Sequence, residues 1–566
     1  MNELVCAWDV ETDGLNGELL AVSWATPDSD PEIRGPEALE DFFTTLERYP
    51  SPFVWYAHNA QYDWRYILHE LVKRYACEFF TRSGTDIFAI KCAMGSGDVI
   101  DMRDSYAVWE GSLKSLLEAF APNAPKLSLD FSKEVFDIAN PRHVEYSLRD
   151  AEGLQIAMTN YRTQFAELFE CSLGFTSAGS AQKAWRKTLS EPFYCLSRNL
   201  EEQLREAYYG GVVFLTSNQL HENCKTFDIN SSYPAGMITS GVPYGHPIRK
   251  TQLDFSRPGF WWVTVRAPEN LPIPVLPARD DNGVTRWPLG TFETAVSSIE
   301  LAFAIEVGYD IISVSHGIVF EKLVKPFDTF INKCRSIRLS PTATDAHKLT
   351  AKMMQNSLYG KFGTKVERRE IIAANPDEQD CVGYELLEDL PLYCQWVDDE
   401  QTLRMVQWAA WITAEARVRL LRAAYAGGAE AVLYGDTDSL TVTEAFNVSA
   451  LDVGAEYGQW KLEKVWKAFR PHAPKVYAGI LENGDVVGRA KGMPRKIMGA
   501  EQYKKILHNL SFESVYDNVP SLFSIVRGKA KAGSGTERKL RTLTDLTNSR
   551  NWISDNGKII ARSMEA

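Results

Sequence analysis

The stretch Val432–Val442 reads VLYGDTDSLTV. Apolar and β-branched residues flank a tight turn that carries Asp436 and Asp438, a pattern that predicts two strands joined by an acidic turn. Two carboxylates this close repel each other and resist burial. Either water solvates the turn, or divalent cations cancel the repulsion. The rest of the chain decides between the two.

At 566 residues the chain exceeds what one core can organise, so several domains are expected. A hydrophobic content of 45% and a charged content of 24% fit a globular protein. No run of about 18 apolar residues predicts a membrane span. The opening MNELVCAWDVETDG lacks the basic region of a signal peptide. Nine cysteines without a CxxC pair point to a reducing compartment and away from structural zinc or a disulfide framework. The net charge of −13 argues superficially against a nucleic-acid partner. From Lys461 to Ala566, however, there are 20 Lys and Arg against 10 Asp and Glu. An acidic body with a basic C-terminal part suits a protein that holds metals in one region and phosphates in another, although uneven surface charge is common.

Strand and helix patterns alternate through residues 1–175, which predicts an α/β domain. SAGSAQKAW, from Ser177, begins a new section. AKMMQNSLYGKFG predicts a helix ending at glycine, and MVQWAAWITAEARVRLLRAAYAGG a long helix closed by a glycine pair. Between them Thr364–Arg404 is polar and broken, with the β-like runs YELL and LYCQW, and reads as an insertion.

Asp9 and Glu11 stand at i and i+2 on the first strand and share a face. Asp63 opens a helix in HNAQYD, and Tyr146 and Asp150 share a helix face in YSLRD. Singly each is weak evidence. Together, four acids on an α/β scaffold match a two-metal nuclease site, with Tyr146 to orient the attacking water. The segments DVE, NAQYD and YSLRD resemble the motifs of the DEDD-type 3′–5′ proofreading exonucleases, in the tyrosine variant. The resemblance implies Asp9, Glu11, Asp63 and Asp150 as metal ligands, and Thr12, His58, Asn59 and Tyr62 as contacts to a single-stranded end.

Asp228 follows an apolar strand in FDINSSYPAGM, with Tyr233 five residues on. In KMMQNSLYGKFG, Lys352, Asn356 and Tyr359 share one helix face. A cationic face opposite paired acids is what a nucleoside triphosphate needs, although a solvated helix side is the ordinary reading of such a face alone. In this order DINSSYP, KMMQNSLYG and YGDTDS resemble the A, B and C motifs of family B DNA polymerases. The resemblance implies Asp228 and Asp438 as the principal metal ligands, with Asp436 nearby. It also implies Ile229, Tyr233, Lys352, Asn356 and Tyr359 as nucleotide contacts, Tyr233 stacking under the sugar and blocking a 2′-hydroxyl.

The first exonuclease motif begins at residue 9, which leaves no room for the long leading domain of cellular relatives and points to the small, protein-primed, phi29-type branch. Further segments resemble that branch: YYGG (Tyr208, Gly210, Gly211), TAEAR (Thr413, Arg417), KVY (Lys475, Tyr477) and SLKSL (Ser112, Leu113) as DNA-binding motifs, and Lys126 as the exonuclease lysine. The resemblance implies an RNase H-like exonuclease domain at 1–175 and a right-hand polymerase domain. Its palm would lie at 176–238 and 405–488, fingers at 326–365, insertions at 239–325 and 366–404, and a thumb with a tail at 489–566. The second insertion is expected to project from the palm as a hairpin. The finger cation that binds the triphosphate is expected at Arg338, with Arg335 and Lys348 as rivals. Gly435 departs from the pattern, since a larger residue is common there. The implied function is DNA-directed DNA synthesis with 3′–5′ proofreading, processive, strand-displacing and primed by a terminal protein. The alternatives are an ordinary or self-made primer, or a catalytically silent DNA-binding scaffold, which would need acids missing that are all present. Implied partners are primer–template and single-stranded DNA, dNTPs, the terminal protein and a single-stranded-DNA-binding protein. Mg2+ would serve both sites, with Mn2+ as a substitute, in a cytoplasmic monomer.

Overall fold

Leu4–Thr12 forms a strand in which Val5, Cys6, Ala7, Trp8 and Val10 are buried, with Trp8 and Val10 facing one core and Val5 and Ala7 the other. It pairs antiparallel with Leu19–Thr26 and parallel with Phe53–Ala57, and is third from one edge of the first sheet. The computed structural model describes residues 3–14, 17–82, 86–129, 134–365, 367–373, 385–387, 392–398, 403–493, 498–510, 513–518, 537–542, 552–555 and 558–561. Trp8, Trp24 and Trp55 are essentially unexposed and surround Phe42 of the helix Leu39–Arg48. The 29-residue helix Pro141–Phe169 packs against the strands Leu4–Thr12 and Leu19–Thr26. Asn140 caps it and Pro141 opens it, where a missing N–H costs nothing.

Among the described residues this sheet has ten strands, in an order that corrects one expectation. The second insertion does form strands, Glu367–Ala373, Glu385–Leu387 and Leu392–Asp398. They do not simply project from the second domain. Glu367–Ala373 joins Ala76–Arg82, with Ile371 opposite Phe79 and Ala373 opposite Cys77, and so extends the first sheet. A sheet edge carries unpaired N–H and C=O groups, and the insertion satisfies them.

Among the described residues the second sheet has seven strands. In order they are Val486–Ala490, Val476–Leu481, Trp460–Ala473, His221–Ile229, Ser439–Val442, Val432–Asp436 and Val213–Leu215. The helix Val406–Gly427, buried over most of its circumference, packs alongside the strand Ser439–Val442. The helices Asp328–Leu339 and Asp345–Phe362 pack together as a hairpin, the second opened by a Thr344–His347 capping box. The first insertion is closed at its base by Val242–Tyr244 paired with Lys322–Val324, and carries a four-stranded sheet. Beyond residue 498 the described residues form the helix Ala500–Leu507 and two separate strand pairs. No described helix is long and apolar enough to cross a membrane.

Candidate paired active sites

The first sheet gathers one acidic group. Asp9 and Glu11 leave the strand Leu4–Thr12, Asp150 leaves the facing helix, and Asp63, just before the helix Trp64–Arg74, accepts a hydrogen bond from Val10 N. Asp63 and Asp150 are 3% and 2% exposed, so no solvent shell screens their repulsion. Burial pushes the carboxyl of Asp9 up, and Asp150 adds to the effect. Burial does the same to Glu11, with Asp9 and then Asp150 contributing. Asp63 rises through burial and the nearby Asp9. Lys126 meets Asp150 in an ion pair, and its ammonium lies 5.0 Å from the centroid of the Tyr146 ring. Burial raises Tyr146 to about 12. Glu11 Oε1 and Asp150 Oδ1 are buried with no hydrogen-bond partner among the described residues. Unsatisfied carboxylate oxygens in a buried anionic cluster fit a divalent cation. Among the described residues no three His, Cys, Asp or Glu side chains form a cage for a metal by themselves. Magnesium does not demand one, since it is commonly held by one or two carboxylates together with water and substrate phosphates.

The residues expected to touch a single-stranded end fall into two groups. Thr12 Oγ1 and Tyr62 Oη are 2.5 Å apart at the rim of the acidic group, and Asn59 is exposed with φ 63°, its N–H donating to Asp104. His58 is different: its two ring nitrogens are occupied by Ser105 Oγ and Gly111 O, each at 3.0 Å. It joins two loops internally and offers no ring nitrogen to a ligand. Ser112 caps the helix Leu113–Phe120 by accepting from Ser115 N, and Leu113 is its first residue.

The second acidic group lies across three strands. Ser439 is paired with Asp228, so the 436–438 turn and Asp228 sit side by side. Thr437 adopts φ 60°, and Asp438 N donates to Asp436 O at 2.6 Å, which makes the turn tight. Burial raises Asp438 to about 7, with Asp228, Asp436 and Glu463 adding to the effect. Two lysines compensate: Lys461 Nζ lies 3.0 Å from Asp228, and Lys475 Nζ 2.8 Å from Asp436. Lys461 is directly opposite Asp228 on the next strand, and Glu463 falls at a register shift of that strand. The sequence reading missed both, because cross-strand pairing is invisible without the register. Paired acids held by exchangeable ammonium groups also fit divalent cations.

Tyr233 and Tyr359 stack beside this group, and Lys352 and Asn356 are exposed on the same face of the helix Asp345–Phe362. Ile229 is 1% exposed and its N–H is taken by Asp438 O, so it supports the turn and its side chain reaches no ligand. Tyr477 is half-buried against Tyr434 and Phe469.

Two expected DNA contacts are corrected. Thr413 and Arg417 are each 1% exposed. Thr413 Oγ1 donates to its own helix, at Ala409 O and Ala410 O. Arg417 donates to Glu300 Oε1 at 2.6 and 2.8 Å, and to the carbonyls of Tyr209 and Gly210. A guanidinium buried with a carboxylate and two carbonyls is a structural clamp. What it clamps is the YYGG linker. A Cβ on Gly211 would lie 2.8 Å from the Thr437 side chain, so that glycine lets the linker close on the acidic turn, whereas Gly210 faces open space. Tyr208 packs its ring onto Gly363. Gly435 has an equally local reason, since a Cβ there would meet the Phe214 ring at 2.4 Å.

Residues 137–389 match the family described as DNA polymerase type B, organellar and viral. A probable DNA polymerase of Neurospora intermedia is 26% identical over 369 residues, 60% of this chain and 37% of the fungal protein. The chain thus spans well under half the length of that relative. The DNA polymerase of Bacillus phage phi29 is 25% identical over 540 residues, 86% of this chain and 88% of the phage protein. The solved structure of phi29 DNA polymerase complexed with primer-template DNA and incoming nucleotide substrates superposes with a TM-score of 0.74 at 19% identity. That superposition covers 95% of this chain and 99% of the other. In sequence along most of its length, and in its multidomain α/β fold, the chain is similar to the DNA polymerase of phage phi29.

Proposed function

We propose that the chain is a DNA-directed DNA polymerase that also removes nucleotides from a 3′ end. The observation that carries the first part is the pairing of Ser439 with Asp228. It brings three carboxylates together beside a helix face bearing Lys352, Asn356 and Tyr359. In this reading the second sheet is the palm and the helical hairpin 328–362 the fingers. Asp228 and Asp438 would hold magnesium, which supplies charge neutralisation for a triphosphate and its leaving group. Lys352 would meet phosphate oxygens, Asn356 would fix the nucleotide, and Tyr233 would lie under its sugar. Lys461 and Lys475 are then free to move from the carboxylates to DNA phosphates once cations take their place, and Tyr477 packs beside the primer end.

The first sheet would hold the exonuclease. Asp9, Glu11, Asp63 and Asp150 would ligate magnesium, and the unpartnered Glu11 and Asp150 oxygens support that reading. Tyr146 would hold the attacking water, with Lys126 beside it on Asp150. Thr12, Asn59 and Tyr62 would receive the single strand. Initiation on a terminal protein is supported by the two insertions, at 239–325 and 366–404, and the second of them supports processive strand displacement.

The test is direct. Purified chain with Mg2+, dNTPs and a labelled primer–template should extend the primer, and without dNTPs should shorten it. Labelled dATP should become covalently attached to the terminal protein when that protein is supplied. Extension without any such attachment would leave the polymerase and remove protein priming.

A further inference from the structure

Tyr457 lies on the loop before the strand Trp460–Ala473, between the two arginines that compete for the part of finger cation. Arg338 Nη1 donates to Tyr457 Oη at 2.9 Å and to Ser231 Oγ at 3.2 Å. Gln355 Nε2 donates to the same Ser231 Oγ at 3.2 Å, and Tyr457 Oη donates to Gln355 Oε1 at 2.7 Å. The four residues close a ring. Ser231 and Tyr457 belong to the palm side, Arg338 and Gln355 to the helical hairpin. Gln355 is wholly buried, so its amide has no solvent to exchange with and fixes the direction of the tyrosine hydroxyl. Ser231 takes φ 49°, three residues past Asp228.

The guanidinium carbons of Arg335 and Arg338 lie 5.4 and 5.6 Å from the centroid of the Tyr457 ring. Their charges are disposed of differently. Arg335 is ion-paired with Glu456. Arg338 meets hydroxyl groups only, and Nη1 alone is bound: Nε and Nη2 have no protein partner among the described residues. An uncompensated guanidinium tied down on one side presents its other donors to a phosphate.

We propose that Tyr457 is a positioning residue for nucleotide binding, holding Arg338 by Nη1 so that Nε and Nη2 face the triphosphate bound beside Asp228. This rests on the polymerase reading above. The same arrangement selects Arg338 over Arg335, whose charge Glu456 already neutralises.

The test measures single-nucleotide insertion on a primer–template, separating KM for dNTP from kcat, with single-strand degradation and thermal melting as controls. Tyr457→Phe removes the charge-assisted hydrogen bond from Arg338 together with the donation to Gln355, and should raise KM about fivefold, with kcat within about twofold of the parent and degradation unchanged. Arg338→Ala should raise KM further. The double variant should be no worse than Arg338→Ala, because the tyrosine acts through the arginine. Should Tyr457→Phe melt early, Ser231→Ala, which removes the other Nη1 partner, makes the same comparison. Unchanged KM, or effects that add in the double variant, would overturn the role while the polymerase reading stands. Absence of template-directed insertion by the parent chain would overturn the polymerase reading itself.

Discussion

Tyr233 and Tyr359 stack with ring centroids 4.0 Å apart and planes 18° from parallel. The pair joins the short helix Ser232–Ile238, just past Asp228, to the last turns of the helix Asp345–Phe362. Burial raises both phenols, and the nearby charge of Asp438 adds to the effect. Such a stack is a flat floor whose position is set from two sides. Under the polymerase reading Tyr233 stops a 2′-hydroxyl by bulk alone, so Tyr233→Val should raise ribonucleotide incorporation at least tenfold, a difference of about 1.4 kcal/mol. Competition between rNTP and dNTP in primer extension measures it, and unaltered rejection of ribonucleotides rules the gate out.

The two acidic groups lie on different sheets and should separate genetically. Asp438→Ala is expected to abolish primer extension while single-strand degradation persists. Asp9→Ala together with Glu11→Ala should do the reverse. Gel assays of both activities on each variant decide the matter. Near-normal extension by Asp438→Ala would show that the 436–438 turn is only a solvated turn.

Arg417 and Glu300 form an ion pair at 1% and 2% side-chain exposure. Glu300 Oε2 is meanwhile used by Ser297 in a capping box, so both partners are committed. Removing one member of such a pair costs about 3–5 kcal/mol, because the other charge stays buried. Arg417→Ala should therefore lower the urea midpoint strongly. The protein that remains folded should bind DNA with the salt dependence of the parent. A stable Arg417→Ala with weakened DNA binding would restore the DNA-contact role that burial argues against.

Burial between Ser105 and Gly111 pushes His58 down to about 4. Its folded-state pKa thus lies below the ordinary value of about 6.5. In that interval the unfolded chain takes up a proton and the folded chain does not, so stability falls as pH drops from about 6.5 towards 4. The amount is on the order of 2–3 kcal/mol. His58→Gln, which cannot titrate, should lose less melting temperature than the parent between pH 7 and pH 5. Equal losses would mean that His58 is protonated in the folded protein.

The strand Glu367–Ala373 extends the first sheet through Ala76–Arg82. Replacing residues 367–398 with a short Gly-containing bridge removes no proposed catalytic group. Single-nucleotide insertion should persist, while products shorten under single-encounter conditions and synthesis stalls at duplex. Full-length products through a long duplex would separate the insertion from processivity and displacement.

Local sequence was enough for the acidic turn, for the glycine-ended helices, and for the facing of Asp9 and Glu11. Each follows from side-chain period, turn chemistry and caps within a few residues. The stretch Val432–Val442 does fold as strand, turn and strand. Tertiary structure alone decided what depends on partners distant in the chain. The pairing of Lys461 with Asp228 needs the strand register, and the burial of Arg417 needs Glu300, 117 positions away. Gly211 is required only because Thr437 closes over it. The second insertion went to the edge of the first sheet because Ala76–Arg82 offered unpaired backbone there. A motif identifies residue types that can do chemistry. Whether a given arginine faces DNA or a buried carboxylate is set by packing, which no local pattern encodes.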